Sequence, residues 1–226
     1  MPVPITGTGI IKEIDMFRSD NLFSRFMNVL FDLICIGVLW VVGSIPLITV
    51  GAAATAAYYA MAKSVRYKTG YAWKEFFHSF RSNFRQTVPL SGIFWIVMLV
   101  LGMDIWYVWN NDSRVNSGIF IVLIFILFMV AGITTYIYPL LSRFDKKNSE
   151  LIKTAALVMF RYLPVTIVIL LAFLLTGVGI YLMPWAILVF PGVYLYLLTF
   201  PMERILRRLM PVAAEGSEEA EKWYYQ

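Results

Sequence analysis

Long apolar runs alternate with short basic segments along the chain, and this alternation predicts a bundle of membrane-spanning helices. The predicted spans cover about residues 26–46, 47–62, 86–109, 117–141, 162–176 and 178–200. The first would be about 31 Å long and the second about 24 Å, so residues 47–62 either cross the membrane or form a re-entrant segment. The predicted fold class is therefore all-α, a polytopic helical membrane protein with six transmembrane helices, or five if 47–62 is re-entrant.

Two basic segments, 63–85 and 142–161, separate these spans on the side that we expect to be cytoplasmic. Each predicts an amphipathic helix at the inner membrane surface. In the first segment an aromatic face and a basic face recur at helical spacing, with Trp73, Phe76, Phe77, Phe80 and Phe84 on one and Lys74, His78, Arg81 and Arg85 on the other. In the second, residues 148–160 would bury Leu151, Ala155 and Val158 on one side. These helices serve either as membrane anchors or as docking elements for a partner.

The remaining segments complete a single membrane domain over residues 1–205, followed by a cytoplasmic tail over 206–226. Residues 16–28 predict an interfacial helix that leads into the first span. The Gly177-Val178-Gly179 segment is the predicted turn between the last two spans. The chain starts with a mixed polar stretch and not with a basic region and an apolar core, so we expect no cleaved signal peptide.

Composition supports a lipid environment. Hydrophobic residues make up 60% of the 226 residues, charged residues make up 15%, and the mean hydropathy is +0.72. An ordinary water-soluble domain has about a quarter charged residues and a smaller apolar share. The composition therefore excludes a soluble globular fold, and the length leaves no room for a separate soluble catalytic domain.

The positively charged residues lie mostly in the predicted cytoplasmic segments. The formal net charge is +5, and of the 19 Lys and Arg residues only Arg114 falls in a loop that we assign to the outside. By the positive-inside rule both termini are predicted to be cytoplasmic, in a multi-pass protein of the plasma membrane. This orientation explains the basic surface without nucleic acid, and either anionic lipid or an acidic protein partner could meet it.

Chemistry-bearing residues are sparse. Asp32 and Asp104 are the acidic residues within predicted spans, and each serves either as a structural partner or in a polar pathway. They lie at opposite depths, which excludes an intramembrane aspartyl protease pair. The single cysteine, Cys35, and the single histidine, His78, provide no metal constellation, and no phosphate-binding glycine loop occurs. We therefore expect no enzyme activity, no cofactor and no metal.

The segment around Pro46 leaves two interpretations open. Pro46, Thr49 and Gly51 would form either a broken helix that exposes backbone groups to a solute, or a turn followed by a packing seam of small residues. The helix predicted from Glu150 only loosely matches the ATPase-contacting helix of ABC-importer permeases, because the alanine pair comes late and no glycine precedes Pro164. The chain is therefore not assigned to that class.

Several stretches resemble the YesL family of bacterial polytopic membrane proteins, a domain of unknown function. They are MFRSDNLFSRF (16–26), SIPLITVGAAATAAYY (44–59), FRSNFRQ (80–86), YPLLSRFD (138–145) and IKTAAL (152–157). The resemblance implies an accessory or regulatory role beside carbohydrate ABC importers, whose subunits would be the partners; the alternative is a small solute transporter or permease in its own right. The matched positions proposed as functional or partner-contact residues, together with Asp32, are Pro46, Thr49, Gly51, Thr55, Asn83, Arg143, Phe144 and Asp145.

Overall fold

A computed structural model describes residues 22–110, 114–144 and 146–210, and every regular element in these ranges is helical. The elements are α1 (Leu22–Gly43), α2 (Val50–Ala60), α3 (Ala72–Asn110), α4 (Arg114–Leu141), α5 (Asn148–Arg161), α6 (Leu163–Leu182) and α7 (Phe190–Leu209). Short 3-10 turns cover Leu47–Thr49 and Pro184–Leu188, and a π-helical segment, Met61–Arg66, continues α2. The chain is thus an all-α polytopic membrane protein, as predicted.

Four of the described helices, α1, α3, α4 and α6, contain segments that are long and apolar enough to cross a membrane. The helix formed by α2 and its π-helical continuation is shorter, and α7 ends in a basic turn with Arg207 and Arg208. The number of six spans therefore stays a prediction. The apolar helices are compatible with a membrane location.

Helix α2 forms the centre of the bundle. It packs against α1, α3, α4 and α7, and its sequence VGAAATAAYYA is buried almost throughout. Small side chains let the surrounding helices approach closely, which is how helices associate in the absence of a hydrophobic drive between them. The segment predicted to be a return limb is thus the element on which the other helices pack.

Two predicted boundaries are wrong. From Ala72 onward the predicted loop 63–85 is continuous with the span from 86 in one helix, α3, because no glycine or proline occurs between residues 72 and 88. The predicted turn at Gly177 lies inside α6, since glycine is tolerated in membrane helices; the break comes at Met183, before Pro184. Helix α7 continues to Leu209, and the tail predicted over 206–226 stays a prediction.

Other sequence predictions are confirmed in whole or in part. Helix α1 ends at Gly43, before the Ile45-Pro46 pair, as the proline predicts. Helix α5 buries Leu151, Ala155 and Val158, which confirms the predicted face. On α3 the basic side chains are exposed as predicted, but the aromatic face is divided: Phe76 is buried, whereas Trp73 and Phe77 are exposed. The residues before 22, the loop residues 111–113, Asp145 and the tail from 211 lie outside the described residues.

Candidate functional site

A buried ion pair joins α4 and α7 at one end of the bundle. Arg143 Nη2 donates a hydrogen bond to Glu203 Oε1, and both side chains are at most 1% exposed. Arg143 immediately follows α4, where the amide nitrogens of Arg143 and Phe144 bond to the Leu140 carbonyl oxygen and turn the chain. We call this end of the molecule the basic end and define it by Arg66, Arg143, Glu203 and Arg207.

Two tyrosines complete the coordination of the buried carboxylate. The Tyr58 hydroxyl of α2 donates to Glu203 Oε1 over 2.7 Å, and the Tyr67 hydroxyl donates to Oε2 over 3.1 Å. Arg207, one turn beyond Glu203 on α7, donates to the Tyr67 oxygen over 2.8 Å. These five residues, which we call the carboxylate cluster, come from four separate segments of the chain. The cluster therefore cross-links the bundle at its basic end.

The carboxylate cluster stabilises a charge in the interior of the bundle. Both oxygens of Glu203 accept hydrogen bonds, and a cation neutralises the charge, so the arrangement satisfies the demands of a buried carboxylate. It includes no serine, cysteine or histidine that would serve as a nucleophile. Among the described residues there is also no group of His, Cys, Asp and Glu that could hold a metal ion.

Sequence reasoning identified Arg143 but missed Glu203. The signal was present: Leu195, Thr199, Met202 and Leu206 recur at helical spacing and are buried, and Glu203 lies on the same stripe. An acidic residue on the apolar stripe of a helix must find a buried partner. The last predicted span ends at residue 200 and therefore leaves Glu203 outside the apolar segment.

An ion pair at the edge of the basic end links the end of α2 to the start of α3. Lys63 Nζ lies 2.8 Å from Glu75 Oε2, and both side chains are partly buried. Partial burial alone would lower the pKa of Lys63, but the hydrogen bond with Glu75 and the neighbouring Tyr59 favour the charged amine. The net result is a Lys63 pKa above its usual value.

The turn between α1 and α2 is closely packed. The Thr49 hydroxyl lies 2.7 Å from both the Gly43 and the Pro46 carbonyl oxygens, to which it donates. The Gly51 amide donates to Ser91 Oγ over 3.0 Å, and a Cβ on Gly51 would overlap Ser91. Trp95 Nε1 donates to the Leu47 carbonyl oxygen over 2.7 Å. These bonds occupy the backbone groups that a broken-helix solute site would expose, which favours the packing seam.

The other predicted residues lie apart from the carboxylate cluster. Asp32 is half-buried on α1. Thr55 is fully buried on α2, and its Oγ1 has no hydrogen-bond partner among the described residues. Asn83 donates to the Ser79 carbonyl oxygen within α3, and Phe144 packs against the core. Asp145 lies outside the described residues.

A cavity of about 370 Å³ lies between the helices, and its wall is almost entirely apolar. Aromatic side chains from five helices supply much of the wall: Trp40, Tyr58, Phe94, Trp95, Phe173 and Tyr194. Tyr58 belongs both to this wall and to the carboxylate cluster. Tyr58 thus connects the carboxylate cluster to the cavity wall.

Part of the chain matches a known protein family. Residues 33–105 match the family described as "Protein of unknown function, DUF624". The matched segment, less than half of the chain, contains the turn at Pro46, all of α2 and most of α3. No curated protein and no solved structure is significantly similar to the chain.

Proposed function

We propose that this chain is an accessory or regulatory component of a bacterial plasma membrane that binds other membrane proteins at its basic end, and that it is not an enzyme. The DUF624 match covers two of the YesL-like stretches, residues 44–59 and 80–86. Because of that resemblance, the partners that we propose are the subunits of carbohydrate ABC importers. The basic end faces the cytoplasm in this proposal, as the distribution of Lys and Arg predicts.

The observation that carries the proposal is the outer face of α5. Ile152, Leu157 and Phe160 are 37%, 72% and 57% exposed on this helix. The opposite face is fixed in the core by Leu151, Ala155, Val158 and Met159. A rigid helix that presents large apolar side chains beside charged ones has the composition of a docking surface. We call Ile152, Leu157 and Phe160 the α5 stripe.

Charge at the basic end supports an acidic partner surface. Lys153 and Arg161 are exposed on α5, and Lys146 and Lys147 precede it. Glu150 is the acidic side chain on the same helix. Basic side chains around an apolar stripe steer an acidic partner toward it and fix its orientation.

The experiment is affinity capture of the tagged full-length chain from its native membrane in a mild detergent. We expect importer subunits, identified by mass spectrometry, to be recovered with it. The double variant Leu157→Glu/Phe160→Glu should lose them, because it places two charges in the apolar stripe. Trp185→Glu is the matched control: it alters an equally exposed aromatic side chain in the connection between α6 and α7 and should keep the subunits. Equal recovery with both variants would contradict the role of α5.

A second candidate function, transport of a small solute by this chain alone, is favoured by the cavity between the helices. The same preparation separates the two candidates. Solute flux into liposomes that contain only this chain would support transport and count against an accessory role. If the chain is inactive alone but is recovered with importer subunits, the accessory role stands.

Orientation can be tested independently of partners. With Cys35 replaced by Ser, a cysteine at position 111 should react with a membrane-impermeant maleimide from outside the cell. Reaction only after the cytoplasmic side is opened would contradict a cytoplasmic basic end.

A further inference from the structure

The apolar cavity between the helices suggests a ligand site, which is independent of the proposed partner binding. It measures about 370 Å³, roughly two and a half times the volume of an apolar protein cavity known to hold benzene. A second cavity of about 370 Å³ adjoins it and shares Trp40, Val50 and Phe173. Together they run from Tyr58 to the connections at the opposite end of the bundle, where Ser44 and Ile187 line the wall. The combined space suits an elongated molecule.

Two polar atoms on this wall have no hydrogen-bond partner among the described residues. Trp40 Nε1 and Ser44 Oγ are shielded from solvent without a partner. The Trp40 ring stacks on Tyr194, which lines the same wall, with centroids 6.3 Å apart. Unsatisfied polar groups in an apolar environment are costly, and a bound oxygen would relieve that cost.

The wall excludes two classes of ligand. Each hydroxyl of a sugar would need a partner, and an almost wholly apolar lining offers too few. A charged head group would need a counter-ion, and no charged side chain lines the cavity in the described part of the chain. The ligand that fits has a long apolar body and one uncharged head that both accepts and donates a hydrogen bond.

We propose that the cavity binds a single-chain amphiphile with a hydroxyl head, such as a long-chain alcohol, with the chain against the aromatic wall. The hydroxyl oxygen accepts from Trp40 Nε1, and its proton goes to the oxygen of Ser44. The site is built from α1, α2, α3, α4, α6 and α7, so the ligand touches most of the bundle.

Photolabelling of the full-length chain in liposomes tests the site. The probe is a sixteen-carbon alcohol with a diazirine at mid-chain, and labelled residues are located by mass spectrometry. We expect saturable labelling of cavity residues such as Met98 and Leu195, with competition by 1-hexadecanol but not by hexadecane or glucose. Labelling confined to lipid-facing residues such as Ile96 and Leu99 would overturn the proposal, as would equal labelling by the corresponding fatty acid at neutral pH.

Variants test the two parts of the site separately. Ala54→Leu projects into the cavity and should lower specific labelling about tenfold, because it displaces buried methylene groups of the ligand. Ser44→Ala removes only the hydroxyl, so labelling should fall about threefold or more. Gly102→Leu is the control, since a Cβ there meets no atom within 4 Å. If Ala54→Leu does not fold, Ser44→Ala still tests the site, and unchanged labelling in a folded variant contradicts it.

Discussion

At the basic end four segments of the chain meet around the buried carboxylate of Glu203, whereas at the opposite end the helices finish in exposed aromatic side chains. Trp106 and Trp109 of α3 and Tyr181 of α6 are 69%, 76% and 86% exposed. A contact between helices there is apolar, such as the Trp109 and Phe120 rings with centroids 5.9 Å apart. Aromatic side chains at a helix end suit the membrane interface. Directional polar bonds thus fix one end, and the aromatic end relies on apolar packing.

The difference indicates where the fold is specified and where it can adapt. Hydrogen bonds and ion pairs accept only a narrow range of geometry, whereas apolar contacts among aromatic side chains tolerate small displacements. We therefore expect the loss of the buried ion pair at the basic end to cost more than the loss of a charged side chain at the aromatic end. Three variants, in order of decreasing expected effect, compare this ion pair with a close backbone contact and with a partly exposed ion pair.

Glu203→Ala should have the largest effect. It leaves the Arg143 guanidinium buried without its carboxylate, and removing one partner of a buried ion pair costs about 3–5 kcal/mol. Thermal unfolding of the purified chain in a mild detergent measures the loss as a lower midpoint. Asp104→Ala is the matched control, since Asp104 is exposed near the aromatic end of α3 and should change the midpoint little. Equal midpoints for the two variants would show that the carboxylate cluster does not hold the bundle.

Gly192→Ala should have an intermediate effect. Helices α1 and α7 approach so closely that a Cβ on Gly192 would overlap the Leu33 carbonyl group, and one on Gly37 would lie 2.9 Å from the Gly192 nitrogen. Forcing these backbones apart costs about 1–3 kcal/mol. The same unfolding measurement should separate Gly192→Ala from Gly102→Ala, where an added Cβ meets open space. A Gly102→Ala variant that loses as much stability would argue against close packing as the cause.

The smallest effect should come from the partly exposed Lys63–Glu75 pair. The folded-state pKa of Lys63 is raised, so the pair contributes fully below the unfolded-state pKa of about 10.4. The contribution is lost as the pH rises through the folded-state pKa, and it amounts to about 0.5 kcal/mol. Between about pH 8 and pH 11.5 the unfolding midpoint should therefore fall slightly more for the natural chain than for Lys63→Met/Glu75→Gln. An identical fall in both would mean that the pair adds nothing.

Sequence reasoning reached the architecture because periodic apolar segments and punctuating prolines are local signals. These signals predicted the end of α1 before Pro46 and the buried face of α5. The predicted turn at Gly177 was wrong, because glycine within an apolar run does not by itself distinguish a turn from a close helix contact. In the structure Gly179 packs against the Phe190 ring. Arg143 was singled out by a sequence resemblance, but its partner Glu203 is 60 residues away, and only packing brings them together.

The π-helical segment Met61–Arg66 gives the chain a local tolerance in length. The Tyr67 amide bonds to the Ala62 carbonyl oxygen over 3.0 Å, a step of five residues where an α-helix takes four. The helix thus accommodates one residue more than α-helical winding would. Because the wide turn absorbs that residue, deleting one residue from this segment should restore α-helical winding and leave Tyr67 near Glu203. Inserting a further residue would instead rotate the chain after it by about 100° and turn Tyr67 away from Glu203.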